Sequence, residues 1–456
     1  MPARRYAELI TLMDTDSAPS AATPAPAPPS AERPPVTRRE IMGWCFYDVA
    51  DSAFTTIIIT TLYSLFFYNV VVGEEGRAAQ LWGRANAISA VLMALGAPIL
   101  GAIADFAGCR KRFLAAAAVT LIVFTFLLGF TGPGTIAMAV AFYILANLGF
   151  AAGGVFIDSF LPGLSNEKNA GRISGLKWAM GYASALVVLF LCAGLATNIK
   201  RNPSPEELAA AQRIPWIVAG WYAVMVIPTF LFLKERGVAK PLPPGDTYLT
   251  VGFRQLAHTF RNLRRYRDLV ILFAAFIAYN EGISTVIQFA GPFAQQTIGF
   301  TSGDVVRLFI LMQIVALTGA LGFGFLADRI GQKRAIFLSL AVWVACTVVA
   351  FFSRSKEVFY IAAALAGIGI GSCQSVTRSL VALFSPPENA AEFYGFLGIA
   401  GKALAFVGPL TFGEISAAAG SQRPAILAIS AFFILGAIIL SFVDETRGKA
   451  AARTPV

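Results

Sequence analysis

Long apolar stretches alternate with short polar breaks from about residue 39 to the end of the chain. Most of these stretches reach about 20 residues, the length that an α-helix needs to cross the hydrocarbon core of a bilayer. The pattern therefore predicts twelve membrane-spanning helices in two sets of six. The predicted spans lie at 41–72, 80–104, 113–131, 135–161, 172–197 and 214–233, and then at 268–297, 304–327, 335–353, 357–384, 393–418 and 424–443.

The polar segments outside the spans divide the chain. Residues 1–36 are rich in Ala, Pro and Ser and have few large apolar residues, so they cannot bury enough surface to become ordered. A basic segment separates the two sets of spans. We predict five regions: a disordered cytoplasmic tail at 1–38, an N-terminal six-helix bundle at 39–233, a basic cytoplasmic connector at 234–267, a C-terminal six-helix bundle at 268–445 and a cytoplasmic tail at 446–456.

The connector contains a stretch with helical spacing. From Thr250 to Arg265, the apolar residues Phe253, Leu256 and Phe260 recur near the helical period, with arginines between them. This pattern is typical of an amphipathic helix that lies on a membrane surface. A bare basic linker is an equally good interpretation of the same composition, and both remain open here.

Composition agrees with a membrane protein. Of the 456 residues, 57% are hydrophobic and 14% are charged, whereas about a quarter of the residues of a soluble domain are charged. The net charge of +10 arises from basic residues in short clusters between apolar runs. Cytoplasmic loops have this distribution, so we expect the lipid bilayer rather than nucleic acid as the partner, and both termini in the cytoplasm.

A short charged turn occurs twice between apolar runs. The second copy lies 223 residues after the first (324 − 101), which is about half the chain. Such a repeat predicts two halves built alike, a common plan for secondary transporters. In each copy the Asp ends one helix, where it can meet either the N-terminus of a neighbouring helix or the basic cluster beyond the turn, and the turn would act as a cytoplasmic latch. The residues of this gate motif are Gly101, Asp105, Gly108, Arg110 and Lys111 in the first copy, and Gly324, Asp328, Gly331, Lys333 and Arg334 in the second.

These turns carry a family resemblance. The pattern G-x-x-x-D-x-x-G-x-[RK]-[RK] between spans two and three resembles the signature of the major facilitator superfamily, and the copy between spans eight and nine matches the weaker repeat expected there. The resemblance covers residues from about 40 to 445. It implies an all-α membrane fold of twelve helices in two pseudo-symmetric six-helix bundles, with spans one, four, seven and ten around a central cavity.

Each of these four spans contains ionisable or polar residues, whereas spans two, three, eight, nine and twelve have almost none in their interiors. A charge at the membrane centre costs roughly 2.5–3.5 kcal/mol on insertion scales, so each one needs a partner, a wet cavity or neutralisation. We therefore predict a polar path for substrate or coupling ions. Its candidate residues are Tyr47, Asp48, Asp51, Asp158, Tyr279, Asn280, Glu281, Gln374, Arg378 and Lys402.

The individual roles of these residues are less defined. The loops after spans four and ten match at an offset of 220 residues, which pairs Asp158 with Arg378 (378 − 158). This pair could bind substrate or form a gate between the two halves, and both roles stay open. Glu281 lies deeper and is the leading candidate for proton coupling, because desolvation favours a neutral carboxyl. Lys177 and Lys402 lie near the inner ends of spans five and eleven, where both could extend to the interface.

Several motifs are not found in the sequence. There is no G-x-x-x-x-G-K-[ST] motif for an ATP-driven pump and no H-E-x-x-H or G-x-S-x-G motif of an enzyme. The five cysteines are scattered without metal-ligand spacing, and His258 is the only histidine. We therefore expect no enzyme activity, no metal and no cofactor.

Local phrases narrow the resemblance to one branch of the superfamily. Trp44 to Phe54 in span one, Phe156 to Pro162 after span four and Tyr279-Asn280-Glu281-Gly282 in span seven are similar to the vacuolar amino-acid effluxers of fungal autophagy and their bacterial relatives. The resemblance implies export of an amino acid or similar small solute. We further expect alternating access, possible coupling to protons, a bacterial inner membrane and a monomer. The alternatives are a drug or siderophore exporter of the same fold and a non-transporting membrane sensor or scaffold.

Overall fold

The computed structural model describes residues 35–453, apart from 194, 196–202, 262 and 263. The predicted disordered tail at 1–38 therefore lies almost wholly outside the described residues. Within the described part the chain is helical and has no β-strand. Eleven of its helices are long and apolar enough to cross a membrane. The predicted all-α architecture is confirmed.

The spans follow the predicted order, and we number them in words. Spans one to six are Arg38–Val72, Glu75–Phe106, Arg110–Leu128, Ile136–Asp158, Ala170–Ala193 and Pro205–Phe232. Spans seven to ten are Arg267–Phe293, Ser302–Ile330, Gln332–Phe352 and Lys356–Phe384. Span eleven comprises Ala390–Ala400 and Val407–Ala419, span twelve is Gln422–Ser441, and Glu445–Arg453 follows it.

Span one is not a regular α-helix along its whole length. It is π-helical at Phe54–Thr60 and again at Phe67–Val72. After Phe54, the first of these segments consists of β-branched residues, which crowd the turns of a regular α-helix. The hydroxyls of Thr60 and Thr61 bond back to the carbonyls of Thr55, at 2.9 Å, and Thr56, at 2.5 Å, five residues earlier in each case. These side-chain bonds match the wider π-helical turn.

Two predicted boundaries were wrong. Span six begins at Pro205 rather than at 214, because Ser204 and Glu207 cap it reciprocally through each other's backbone N–H groups. Span eleven is not continuous, and residues 401–406 form turns between its two helices. Pro409 cannot donate a backbone hydrogen bond, but it is tolerated in the first turn of a helix that starts at Val407.

The basic connector contains a helix, Tyr248–Arg261, so the bare-linker interpretation was wrong. Gly252 faces span two, where a Cβ atom would lie 2.8 Å from Ile103 Cγ1. Gln255 Nε2 donates a hydrogen bond of 3.1 Å to Glu392 at the start of span eleven. The connector helix therefore lies against spans two and eleven. The side chains of His258 and Phe260 are not among the described ones.

Two hydrophobic cores correspond to the two sets of spans. One contains Trp44, Phe54 and Ile214 and is built mostly from spans one to six, and the other contains Trp343 and Phe433 and is built mostly from spans seven to twelve. A few residues of each half belong to the core of the other half. Ala382 and Ala391 belong to the first core, and Ala97 and Val155 to the second. Spans two, four, ten and eleven are therefore among those through which the halves contact each other, together with spans five and eight, where Gly171 and Gly324 approach closely.

Candidate functional site

A chain of charged and polar side chains runs through the interior from one half to the other. In the N-terminal half, the Lys177 ammonium of span five lies 2.5 Å from Asp158 of span four and 3.7 Å from Asp48 of span one. Lys177 and Asp158 are almost fully buried, and the Asp48 side chain is 19% exposed. Buried charges persist only where partners replace their lost hydration, so this lysine joins three spans.

Arg378 of span ten continues the chain into the C-terminal half. Its Nε donates to Asp158 at 2.8 Å, and its Nη1 donates to the Gln374 side chain at 2.8 Å. Gln374 donates to Asn280 of span seven at 3.1 Å, and Asn280 donates to the Gly401 carbonyl at 2.9 Å, where span eleven is interrupted. The structure thus brings the predicted pair Asp158 and Arg378 into direct contact between the halves.

Aromatic rings support both cations. Lys177 Nζ lies 5.0 Å from the ring centroid of Trp44, and Arg378 Cζ lies 4.8 Å from that of Trp178. A cation is attracted to the face of an aromatic ring at such distances. Trp178 belongs to the N-terminal half, so Arg378 is held across the boundary between the halves by a carboxylate and by a ring.

The role of Lys177 was missed in the sequence. We predicted that it could extend to the membrane interface, and this was wrong because the residue is 4% exposed and bonded to Asp158. A count of the charged residues within the N-terminal spans could have identified the role of Lys177. Asp48 and Asp158 need a cation in the interior of the N-terminal half, and Lys177 is placed within one of its spans.

Five of the ten predicted cavity residues are not hydrogen-bonded to this chain, and three of them are Tyr47, Asp51 and Tyr279. Tyr47 is fully buried, with its ring 5.9 Å from that of Tyr222. Asp51 is half-buried, and its Oδ1 atom has no hydrogen-bond partner among the described residues. The hydroxyls of Tyr279 and Thr377 lie 2.7 Å apart inside the C-terminal half.

Glu281 and Lys402 lie around the interruption of span eleven. The Glu281 carboxylate is 2% exposed, and it accepts a 3.3 Å hydrogen bond from the backbone N–H of Gly408. Lys402 lies within the interruption with an exposed side chain, and no ion pair of this lysine is found in the described part of the chain. Of the predicted polar path, Asn280 and Gln374 are hydrogen-bonded to each other, whereas Glu281 bonds to span eleven instead.

The first copy of the gate motif contacts the opposite half at the end of span two. Asp105 lies 2.5 Å from Arg110 Nε. It also accepts hydrogen bonds from the backbone N–H groups of Ala391, at 3.3 Å, and Glu392, at 3.1 Å. These amides belong to the first turn of span eleven, where the helix dipole favours a negative charge. Arg110 in turn donates to the Pro387 carbonyl of the other half at 2.5 Å.

The second copy repeats this contact at the end of span eight. Asp328 accepts hydrogen bonds from the backbone N–H groups of Gly171, at 2.7 Å, and Arg172, at 3.1 Å, in the first turn of span five. Here the cation is Arg172 of the opposite half, whose Nε lies 2.9 Å from the carboxylate. Both aspartates therefore contact the helix N-terminus that lies across the boundary.

A lysine of each copy anchors its turn to the last span of its own half. Lys111 Nζ donates to the carbonyls of Phe230 and Leu233, at 2.8 and 2.6 Å, and its backbone N–H donates to Glu235. Lys333 Nζ donates to the carbonyls of Ser441 and Val443, at 2.8 and 2.6 Å, and its backbone N–H donates to Glu445. The motif alignment paired Lys333 with Arg110, but its contacts match those of Lys111.

Glycines allow the halves to approach through their backbones. A Cβ atom on Gly101 would lie 2.5 Å from the Ala391 carbonyl oxygen, and one on Gly324 would lie 2.6 Å from that of Gly171. Gly108 and Gly331 have φ values of +58° and +93°, which favour glycine in the turns. Arg334 lines a surface cavity beside the second turn. The halves are therefore closed against each other on the side of the two turns, which we call the motif side.

The family model for vacuole effluxers of the Atg22-like type matches residues 83–453. The chain belongs to the Atg22-like family. The MFS-type transporter YxiO of Bacillus subtilis is 27% identical to the Atg22-like chain over 408 residues, which cover 88% of this chain and 94% of that protein. Autophagy-related protein 22 of Coccidioides immitis is 22% identical over 84% of this chain and 75% of its own length.

A solved structure agrees with this family. The human organic anion transporter MFSD10 aligns with the Atg22-like chain with a TM-score of 0.71 and 17% identity, covering 88% of this chain and 99% of that one. This likeness establishes the fold. The match to the family model and the likeness to an MFS-type transporter place the chain among the integral membrane transporters of the major facilitator superfamily, as the resemblance indicated. Among the described residues, no group of three or more His, Cys, Asp or Glu side chains is arranged to hold a metal ion.

Proposed function

We propose that the Atg22-like chain is a secondary active transporter that exports amino acids or similar small solutes by alternating access. Its location would be a bacterial inner membrane, with the motif side and both termini in the cytoplasm and with the monomer as the working unit. In that orientation the structure is closed to the cytoplasm. The observation that carries the proposal is the buried ion pair between Asp158 and Arg378, which joins the two halves at 2.8 Å.

Three of the five predicted regions would take part in the alternating-access cycle. The bundles at 39–233 and 268–445 would rock against each other, and the connector at 234–267 would tether them. Opening of the motif side requires that the Asp158–Arg378 pair separates and that Asp105 and Asp328 leave their helix N-termini. Hydrogen bonds to charged groups contribute about 1.5–3 kcal/mol each, so the closed state has a definite stability that a bound solute must offset.

The experiment that tests transport uses purified protein in proteoliposomes. Uptake and counterflow of labelled amino acids would be compared with those of empty vesicles. Solute movement that exceeds the leak supports the proposal. A folded protein that moves neither amino acids nor a panel of drugs and siderophores would instead favour a sensor or scaffold, and movement of the drugs or siderophores alone would favour the other exporter class.

The two possible roles of the Asp158–Arg378 pair predict different results. In Arg378→Gln, a pure gate role weakens the closed state but leaves the solute-induced shift in melting temperature intact. A substrate role abolishes that shift. The matched control is Arg254→Gln, because Arg254 forms an exposed ion pair with Asp246 at 2.7 Å in the connector.

Proton coupling is a separate proposal, for which Glu281 was the candidate. Its burial supports a neutral carboxyl, since an ionised carboxylate without a cation is costly in the interior. Loss of pH-gradient dependence in Glu281→Gln, with counterflow preserved, would support this role. An unchanged gradient dependence would exclude it.

A further inference from the structure

Asp51 is a half-buried acid that the hydrogen-bonded chain does not use. It lies one helical turn after Asp48 on the same face of span one, and its Oδ1 atom is sealed from solvent without a hydrogen-bond partner. None of the ion pairs found in the described part of the chain includes Asp51. An ionised carboxylate in this position would have an uncompensated desolvation cost of several kcal/mol.

The charged groups around Asp51 cannot supply its counter-charge. Asp158 already holds both available cations, at 2.5 Å from Lys177 and 2.8 Å from Arg378. Asp48 takes a longer contact of 3.7 Å with Lys177. The neighbouring cluster joins Asp48, Lys177 and Asp158, and two of these three groups carry the same sign as the Asp51 carboxylate.

The other titratable groups that face this cluster add no charge. They are phenols and one thiol, buried or half-buried, on spans one, five, six and eleven, and such groups are neutral near pH 7. These groups are Tyr47 and Cys45 of span one, Tyr182 of span five, Tyr222 of span six and Tyr394 of span eleven. The cluster therefore holds three carboxyls and two cations, and it becomes electrically neutral when one carboxyl carries a proton.

We propose that Asp51 is a proton-binding site of this protein and that its carboxyl is protonated in the state closed on the motif side. The Asp48 and Arg378 side chains remain 19% and 22% exposed, so solvent reaches the cluster and a proton can enter or leave. Arg378 belongs to the C-terminal half and the acids to the N-terminal half. Separation of the halves therefore changes the charge around Asp51, which ties proton binding to conformation.

The coupling role rests on the proposed transport function, but the proton site itself does not. The experiment therefore measures protons bound by the purified full-length chain without any solute. A weakly buffered detergent solution with a pH-indicator dye is moved from mildly alkaline to mildly acidic pH, a range in which exposed carboxyls stay ionised. Wild type should take up about one proton more per chain than Asp51→Asn, because the amide cannot titrate.

Two further variants make the result specific. Asp48→Asn should also lose the proton, because two carboxylates would then face two cations and Asp51 would ionise. Asp246→Asn is the matched control, since this acid is ion-paired with Arg254 outside the spans and its loss should leave uptake unchanged. If Asp51→Asn fails to fold, Asp51→Ser takes its place in the comparison, because its side chain cannot titrate in this range either and Asp48→Asn alone does not distinguish Asp51 from Asp48.

Two outcomes overturn the inference. One is proton uptake that is the same in wild type, Asp51→Asn and Asp48→Asn. The other is loss of the proton in Glu281→Gln alone, which assigns the site to the C-terminal half. A chain that binds the proton at Asp51 but moves no solute in vesicles would contradict the proposed function only. Transport with unaltered proton uptake in Asp51→Asn would contradict this inference only.

Discussion

The two copies of the gate motif make the same backbone contact but obtain their positive charge differently. Asp105 and Asp328 both accept two backbone N–H groups from the first turn of a helix in the opposite half. In the first copy the cation is Arg110 of the same half, and its side chain is 7% exposed. In the second copy it is Arg172 of the opposite half, and its side chain is 49% exposed.

A difference in the turns explains this exchange. Three residues separate span two from span three, which begins at Arg110, whereas one residue separates span eight from Gln332. Gln332 thus takes the place that Arg110 has in the first copy, and its Nε2 atom is buried without a partner among the described residues. Duplication has preserved the contact between a carboxylate and a helix N-terminus, whereas the cation has been free to change position.

The largest effect should come from removing the two aspartates in turn. Asp105→Asn leaves Arg110 buried without its carboxylate, which costs about 3–5 kcal/mol. Asp328→Asn leaves an exposed arginine, so the loss should be about 1–3 kcal/mol from the hydrogen bonds alone. Thermal unfolding in detergent measures both. Equal losses would show that the different burial of the cations does not matter.

The next effect concerns the backbone contact that both copies share. Gly101→Ala and Gly324→Ala each insert a Cβ atom against a carbonyl of the opposite half, at a cost of about 1–3 kcal/mol to the closed state. Spin labels on the motif-side ends of the two halves should report a larger opened fraction in both variants. Gly413→Ala is the control, because nothing lies within 4 Å of its added Cβ atom. If the opened fraction increased in only one of the two variants, the two backbone contacts would not be equivalent.

Gln332→Met should have a smaller effect of the opposite sign. The substitution keeps the side-chain volume and removes a buried amide donor that has no partner, so the melting temperature should rise by the equivalent of about 1 kcal/mol. Arg110→Met provides the contrast, because the same change in the first copy removes a paired cation and should destabilise. A destabilised Gln332→Met protein would mean that the amide has a partner in another state of the transporter.

The smallest effect should come from Arg172→Gln. Exposed ion pairs contribute about 0.2–1 kcal/mol and are screened by salt. The loss should be measurable at low ionic strength and should disappear at high ionic strength, while the two backbone hydrogen bonds to Asp328 remain. A large loss of stability that does not depend on salt would show that Arg172 contributes as much to stability as Arg110 does.

Much of the fold was predictable because its causes are local. The glycines and aspartates of both turns recur at the same spacing. Each turn marks the end of one helix and the start of the next. The Ser204–Glu207 capping box and the Gly408-Pro409 pair were also present in the sequence, as local marks of the start of span six and the interruption of span eleven. The boundaries were wrong there because hydropathy alone was used to place them.

Most of the candidate site could not be predicted in the same way. Its ten proposed cavity residues were chosen because charge is costly in a membrane, and this argument says which residues need partners but not which partners they find. The offset of 220 residues did suggest Asp158 and Arg378 as a pair. It did not suggest that Lys177 would lie between Asp158 and Asp48, or that Asp51 would have no cation.

The sequence by itself determined the order of the spans, the duplication and the places where charge enters the apolar spans, since hydrophobic periodicity and turn residues act over a few neighbours. Only the tertiary structure decided which charges neutralise each other, because an ion pair depends on a separation of a few ångströms between residues far apart in the chain. For the same reason, the two copies of one motif came to use cations from different halves.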